Sequence, residues 1–416
     1  MSSKQPVTYL IVGAGNRGQG YASFPAAFPE RAKVVGVAEP RAHQRGLIVG
    51  QHAPEHVFSD WREAAAQPRL ADAVIIATQD PMHADPAVAF AEKGYHLLLE
   101  KPMAVTEADC VRIVDAVKLH DVLFAVGHVL RYTTYFTQLK QLIVDGAIGE
   151  VVSIQHTEPV GYWHQAHSFV RGNWRNTDVS APMLMAKSCH DLDLIRWLMN
   201  VPCEQVSSFG SLKHFRPEHQ PEGASERCLD CAVEADCPYS AKRLYQGFQA
   251  KGKHGWPLEV ITDDFTEAGV NEALRTGPYG RCVYLCDNDV VDHQVVNFAF
   301  AGGRTASFTM TAFSNAQSHR TTRVFGTRGE LVGDGHTIAV HRFLDNSKKV
   351  VDTRTADPGI LGGHGGGDFG LMDAFTRAVA ENDASYIRSG PDETLDSHRM
   401  VFAAERARLE GVVVRL

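Results

Sequence analysis

One stretch near the N-terminus limits the fold more than any other. TYLIVGAGNRG, residues 8–18, runs from an unbroken apolar segment straight into Gly13, Gly15 and Gly18, and a helix is predicted from Asn16 to Phe28. A buried strand that ends in G-x-G-x-x-G and opens a helix marks the first turn of a doubly wound parallel sheet. Gly13 permits the tight turn, Gly15 lets backbone approach a pyrophosphate, and Gly18 lets helix and strand pack closely. The amides at the helix start form an anion site, so Asn16 and Arg17 are expected beside a bound dinucleotide.

The next hundred residues keep that rhythm. AKVVGVAE, ADAVIIAT, YHLLLE and DVLFAVGH read as strands. Helices are predicted at Trp61–Ala66 after a Ser or Asp cap, at Pro86–Lys93 ending at Gly94, and at Glu107–Leu119 capped by Thr106. ADAVIIAT carries almost no polar residue, as expected for a strand covered on both faces. Residues 1–130 are therefore assigned to a Rossmann domain, α/β in class. After about residue 130 the pattern changes. A helix from Tyr132 to Val144 ends at Gly146. EVVSIQHTEPV, EQVSSFGSL, VVDHQVVNFAF, RTASFTMTAF, TTRVFGT and TIAVHRF alternate polar and apolar residues, the signature of a large, mostly antiparallel open sheet with one polar face. Helices at His190–Met199 and Asp368–Ala380 interrupt it. Residues 131–416 are assigned to a second α/β domain for substrate binding and oligomerisation, with a Cys-rich insertion at about 213–280. Two domains suit 416 residues.

A formal charge of −8 argues against nucleic-acid or acidic-membrane partners. No apolar run approaches a membrane span. The N-terminal apolar run reads as the first strand and not as a signal peptide, so a cytoplasmic location and reduced cysteines are expected.

Within the first domain, Glu39 ends the second strand. An acid there accepts hydrogen bonds from a ribose diol and repels a 2′-phosphate, which favours NAD over NADP. Arg41 pulls the other way, since an arginine in this loop can hold such a phosphate. Thr78, His83 and Glu100 complete the expected cofactor contacts. In LEKPM, Glu100, Lys101 and Pro102 stand at the carboxyl end of a strand, where ligands of doubly wound sheets bind, so Lys101 is expected to face the nicotinamide half of the cleft. Pro102 biases Lys101 toward extended backbone. A lysine beside a cationic nicotinamide would have a lowered pKa, suited to proton transfer.

With GAGNRG, EKPMAVT and GHVLRYTTYFTQLKQLIVDGAIGEV, the chain resembles, over essentially its whole length, the Gfo/Idh/MocA oxidoreductases, named for glucose–fructose oxidoreductase, inositol dehydrogenase and a rhizopine catabolism protein. The resemblance implies an NAD-dependent enzyme whose second domain is built on an open, mostly antiparallel sheet. It also implies hydride transfer at a secondary alcohol of a sugar, sugar derivative or cyclitol, with Lys101 contacting the reacting hydroxyl.

MLMAKSCHDLDLIRWLM holds Lys187, His190, Asp191 and Asp193. His190 suits proton exchange near neutral pH, and Lys187 is expected to orient a substrate oxygen. In many relatives an aspartate lies four residues before this histidine, but here that position is Ala186, so the aspartate's task is unassigned. Asp193 is read as a cap of the helix N-terminus, while Asp191 stays open between a cap and a substrate contact. EPVGYWHQAHSFVRGNWRN offers Trp163, His164, His167, Arg171, Trp174 and Arg175. Aromatic faces and planar donors of this kind line sugar sites, and the family places substrate contacts here; the two arginines leave room for an anionic substrate. In the glycine loop LGGHGGGDFG, His364 and Asp368 are expected to close over the site.

Cys228, Cys231 and Cys237 form C-x2-C-x5-C. Three thiols in a segment that looks too sparse for a core of its own predict a structural zinc. Cys282 is the preferred fourth ligand over Cys286, His214 or His254, and free thiols on a helical lid are the alternative. Cys110, Cys189 and Cys203 are read as packing residues. Three readings of function stand: an NAD-dependent dehydrogenase on a small carbohydrate or cyclitol, working as a homodimer or homotetramer; an NAD-dependent glycosidase that oxidises C3 transiently and eliminates; and a non-catalytic cofactor-sensing regulator.

Overall fold

The computed structural model describes residues 5–315, 318–354 and 363–416. The start of the glycine loop, Leu361 and Gly362, lies outside them.

Six parallel strands build the first sheet: β1 (Val7–Val12), β2 (Ala32–Ala38), β3 (His56–Phe58), β4 (Ala73–Ile76), β5 (His96–Leu99) and β6 (Phe124–Val126). Their order is β3-β2-β1-β4-β5-β6, so the chain reverses direction across the sheet beside β1, where the glycine turn lies. β4 and β5 are apolar because both faces are covered. The predicted caps form: Asp60 accepts from the amide of Arg62, and Thr106 accepts from that of Asp109. The sequence pattern missed helix Ala42–His52 and strand β3. Only Ile48 of that helix is fully buried, and β3 is a three-residue edge strand, so neither leaves much apolar periodicity.

The second sheet has nine strands: β7 (Val151–Pro159), β8 (Cys203–Ser211), β9 (His293–Phe300), β10 (Arg304–Thr311), β11 (Thr321–Gly326), β12 (Gly329–Gly333), β13 (Thr337–Arg342), β14 (Lys348–Asp352) and β15 (Val414–Arg415). The order is β14-β13-β12-β11-β7-β10-β9-β8-β15. Only β7 and β10 pair in parallel; every other neighbouring pair is antiparallel.

Two C-terminal helices join the units. Helix Gly367–Glu381 returns to the first sheet, where Leu371, Met372 and Phe375 pack with Tyr9, Ile11 and Phe24. Helix Pro391–Glu410 lies against β8, helix Cys189–Met199 and helix Glu107–Leu119. This helix was not legible in the sequence because its buried face mixes Leu395, Met400 and Val401 with Thr394, Ser397, His398 and Glu405.

The Cys-rich insertion departs from expectation. It forms helices Ala241–Ala250 and Glu267–Thr276, and Ala241, Tyr245, Leu258, Val270, Leu274 and Tyr279 make a small core between them. Among the described residues no helix is long and apolar enough to cross a membrane.

Candidate active site

The turn after β1 has the shape a dinucleotide requires. Gly13 has φ +88°, and a Cβ there would stand 2.6 Å from the carbonyl oxygen of Ala77; a Cβ on Gly18 would stand 2.0 Å from that of Gly13. These glycines let the turn close tightly on itself and on the end of β4, the backbone shape that a dinucleotide loop needs. Glu39 at the end of β2 accepts from the amide of Ala14 at 2.8 Å and from the amide and Nε of Arg41 at 2.9 and 2.8 Å. Burial alone would raise its pKa; the bonds from Arg41 and Ala14 outweigh that and lower it. Glu39 is thus a held carboxylate, and Arg41 is committed to it. These residues fit a dinucleotide with an unmodified ribose.

Arg17, expected at the cofactor, lines the candidate cleft with its guanidinium clasping carboxylates. Its Nε donates to Glu100 at 2.6 Å, and its Nη2 to Asp368 at 2.7 Å and to the Tyr21 hydroxyl at 2.8 Å. Glu100 also receives the Tyr21 hydroxyl at 2.6 Å and the amide of Lys101 at 2.8 Å. Burial works against its ionised form, but the neighbouring Arg17 and Lys101 prevail and lower its pKa. Glu100 therefore braces the turn that presents Lys101. His83 is fully buried between the carbonyls of Pro102 and Thr78, at 2.7 and 3.2 Å, and supports the same turn without reaching the cleft.

A cleft of 330 Å³ opens beyond the ends of β4 and β5, lined by Arg17, Thr78, Glu100, Lys101, Trp174, Arg175, His190 and His364. Lys101 Nζ donates to the Ala186 carbonyl at 2.9 Å, and the Lys101–Pro102 peptide is cis. His190 is buried, and its Nδ1 has no hydrogen-bond partner among the described residues. Burial, then Lys101, His128 and His364, hold its pKa well below the usual histidine range, so the ring is neutral. His364 lies 6.2 Å from it, ring to ring, and its Nδ1 stands 3.0 Å from Asp368. Trp174 donates from Nε1 to Asp80 at 3.0 Å, and Arg175 is paired with Asp287 at 2.8 Å.

Other expected contacts lie elsewhere. Lys187 Nζ stands 3.4 Å from Glu158 and 3.1 Å from the Ser318 hydroxyl, outside the cleft lining. Asp191 is fully buried and is held by Arg320 Nε at 2.6 Å and His156 at 2.9 Å. Asp193 caps no helix: Arg131 grips it through two bonds of 2.7 Å, and the Ser397 hydroxyl donates at 3.1 Å. These carboxylates anchor the helix that presents His190. His156, Glu158, Arg320 and Arg131 were not singled out from sequence. A signal did exist for two of them, since His156 and Glu158 share the inward face of β7 with Ile154.

The aromatic stretch binds the insertion. His167 Nδ1 pairs with the Tyr245 hydroxyl at 2.7 Å and its ring stacks on Tyr279; burial, with Arg171 adding to it, pushes its pKa down to about 3. Trp163 and His164 lie 5.2 and 4.9 Å from Trp256, ring to ring. Arg171 is fully buried, donating to the carbonyls of Arg281 and Tyr239 at 2.8 Å each and to Cys228 Sγ at 3.5 Å. Neither His167 nor Arg171 is free for substrate.

Cys228, Cys231, Cys237 and Cys282 do line one small pocket, together with Arg171. The expected zinc has no counterpart there: among the described residues no group of three or more His, Cys, Asp or Glu side chains is disposed to hold a metal ion. The segment has its own apolar core, Cys228 is engaged by Arg171, Cys286 donates to the Cys282 carbonyl, and burial raises the thiol pKa of Cys237 and Cys282. The segment is held by its own small core and by the Arg171 guanidinium beside Cys228.

The glycine turn, the acid ending β2 and the lysine ending β5 place the chain among dinucleotide-binding α/β proteins. Comparison narrows this. The family described as "Oxidoreductase family, NAD-binding Rossmann fold" matches residues 7–128, and the GFO/IDH/MocA C-terminal domain matches residues 136–332. The chain belongs to the GFO/IDH/MocA oxidoreductase family. It is 26% identical to the oxidoreductase YteT of Bacillus subtilis (strain 168), over 71% of this chain and 70% of that one. It is 28% identical to 2,7-anhydro-N-acetylneuraminate hydratase of Escherichia coli (strain K12), over 51% of this chain and 55% of that one, so it spans about half the hydratase's length. A levoglucosan dehydrogenase solved with NADH and levoglucosan superposes with a TM-score of 0.71 at 19% identity, over 99% of both chains, a likeness of fold.

Proposed function

We propose that the protein is an NAD-dependent dehydrogenase acting on a secondary alcohol of a sugar, sugar derivative or cyclitol. The observation that carries this reading is the pairing, in one cleft beside the glycine turn, of Lys101 with a neutral His190. NAD, when bound in the Gly13–Gly18 cradle, supplies the hydride acceptor. The Lys101 ammonium has three donors, one of them on the Ala186 carbonyl, which leaves two to bind the substrate hydroxyl and offset charge on its oxygen as the proton departs. His190, being neutral, accepts that proton; its burial and the nearby Lys101 disfavour keeping it, so the ring gives the proton up to water in the cleft. Trp174 offers an aromatic wall against C–H faces of a ring. The Glu39–Arg41 pair favours NAD over NADP.

The test is a screen of sugars, glycosides and cyclitols for NADH absorbance, with NAD binding measured in parallel. NAD binding with no NADH from any compound would point to the regulator reading.

The hydratase among the relatives favours a second reading. Oxidation of a carbinol acidifies the neighbouring C–H, elimination follows, and reduction of the product returns NAD. Free aglycone with only transient NADH would select it over net dehydrogenation.

A further inference from the structure

The insertion reaches the dinucleotide groove. Its segment Trp256–Asp263 starts against Trp163, His164 and His167 of the second unit and is rooted by Leu258 in the insertion's own core. It then crosses to the first unit. Glu259 Oε1 accepts from Asn16 Nδ2 at 2.7 Å, on the first residue after the glycine turn. Asp263 Oδ1 lies 3.9 Å from His43 Nε2, and its charge also acts on Arg41. Arg41 and His43 follow Glu39 at the end of β2, the place where the adenosine ribose of a bound dinucleotide would rest.

We infer that segment Trp256–Asp263 forms the outer wall of the dinucleotide groove on its adenosine side, and that Asp263 is a second determinant, beside Glu39, of selection against a 2′-phosphate. The inference rests on the proposed use of NAD. Arg41 is the residue that the sequence offers for holding a 2′-phosphate, while the nearby Arg45 is turned to the carbonyls of Glu39 and Pro40. The Nε and Nη2 of Arg41 are turned to Glu39. Asp263, close enough to reach His43, adds its negative charge to that of Glu39 on the same guanidinium and so lessens the positive charge offered to a phosphate. An incoming dianionic phosphate would meet Glu39, Glu259 and Asp263 together. A ribose diol carries no charge and is spared that repulsion.

The test is fluorescence titration of the full-length protein with NADH and with NADPH, read as the ratio of their dissociation constants. Asp263 is exposed, so its substitution spares the core. Asp263→Asn is expected to move the ratio toward NADPH by about three- to ten-fold, Asp263→Lys further, and added salt is expected to shrink both shifts. A ratio unchanged within about two-fold in both variants would overturn the inference, as would equal effects of Asn and Lys, which would mean that shape and not charge decides. A wild-type protein that prefers NADPH, or binds neither nucleotide, would instead overturn the NAD reading beneath it.

Discussion

The ammonium of Lys101 donates to the backbone carbonyl of Ala186 at 2.9 Å. The family resemblance leads one to expect an aspartate at position 186, and the residue there, an alanine, meets the lysine through its main chain. A carbonyl orients the lysine without adding a titratable group, so the proton handling proposed for the cleft rests on Lys101 and His190.

Lys101→Ala should lower turnover by about two orders of magnitude or more while leaving dinucleotide binding intact, as expected for a positioned group that meets the reacting hydroxyl. Steady-state kinetics beside nucleotide titration checks this, and turnover within a few-fold of wild type would refute the assignment.

Stability should fall as the solution is acidified. Burial, against the pull of Asp193, pushes the His128 pKa down to about 4, and burial with His128 pushes His398 down to about 3. A histidine depressed in the folded state binds its proton first in the unfolded chain, where its value is about 6.5. The contribution is therefore complete above about pH 6.5 and is lost as pH falls toward the folded values. Asp193 acts in the same direction at lower pH. Burial opposes its ionised form, but Arg131 and His128 hold its pKa down, so its share fades as the unfolded carboxylate protonates first. Thermal melts in steps from about pH 8 to about pH 4 should show the midpoint dropping from below about pH 6.5; a flat profile to pH 5 would contradict the burial of these rings.

Arg171→Ala should destabilise the protein by about 3 kcal/mol, because the carbonyls of Arg281 and Tyr239 lose their partner in a closed pocket. The insertion should loosen first, so limited proteolysis ought to cut near Cys228–Cys237 in the variant before the rest of the chain. Cleavage at wild-type rates would show that Arg171 does not hold the segment.

The outer face of the nine-stranded sheet carries Phe209, 69% exposed, directly across from the exposed Val295 on the neighbouring strand. Apolar sheet faces of this kind are usually covered in an assembly. A dimer or tetramer is expected by light scattering, with Phe209→Asp shifting it toward monomer; a monomeric wild type at working concentration would rule the interface out.

What the sequence revealed follows from the range of the forces involved. The glycine turn, the caps of Asp60 and Thr106 and the lysine at the end of β5 depend on neighbours within a few residues, so pattern and position suffice to find them. His167, Arg171 and Asp191 are polar and suitably placed for substrate, yet their partners Tyr245, Tyr239 and Arg320 lie 78, 68 and 129 positions away, and nothing local announces those pairings. The thiols misled for a related reason. Their spacing suits a metal and the segment looked coreless, but the small core around Tyr245 and Leu258 is assembled from helices whose apolar residues are thinly spread.

Helix Gly367–Glu381 has a consequence for how the chain comes into being. Its Leu371, Met372 and Phe375 cover the face of the first sheet that presents Tyr9 and Ile11. On a ribosome those strands emerge long before their cover, and at ordinary elongation speeds the delay is on the order of tens of seconds. For that interval the part of this face that Tyr21, Phe24 and Ile48 do not cover stays open. A truncated product that ends near residue 130 would never gain Leu371, Met372 and Phe375, so it is expected to aggregate more readily than the full chain.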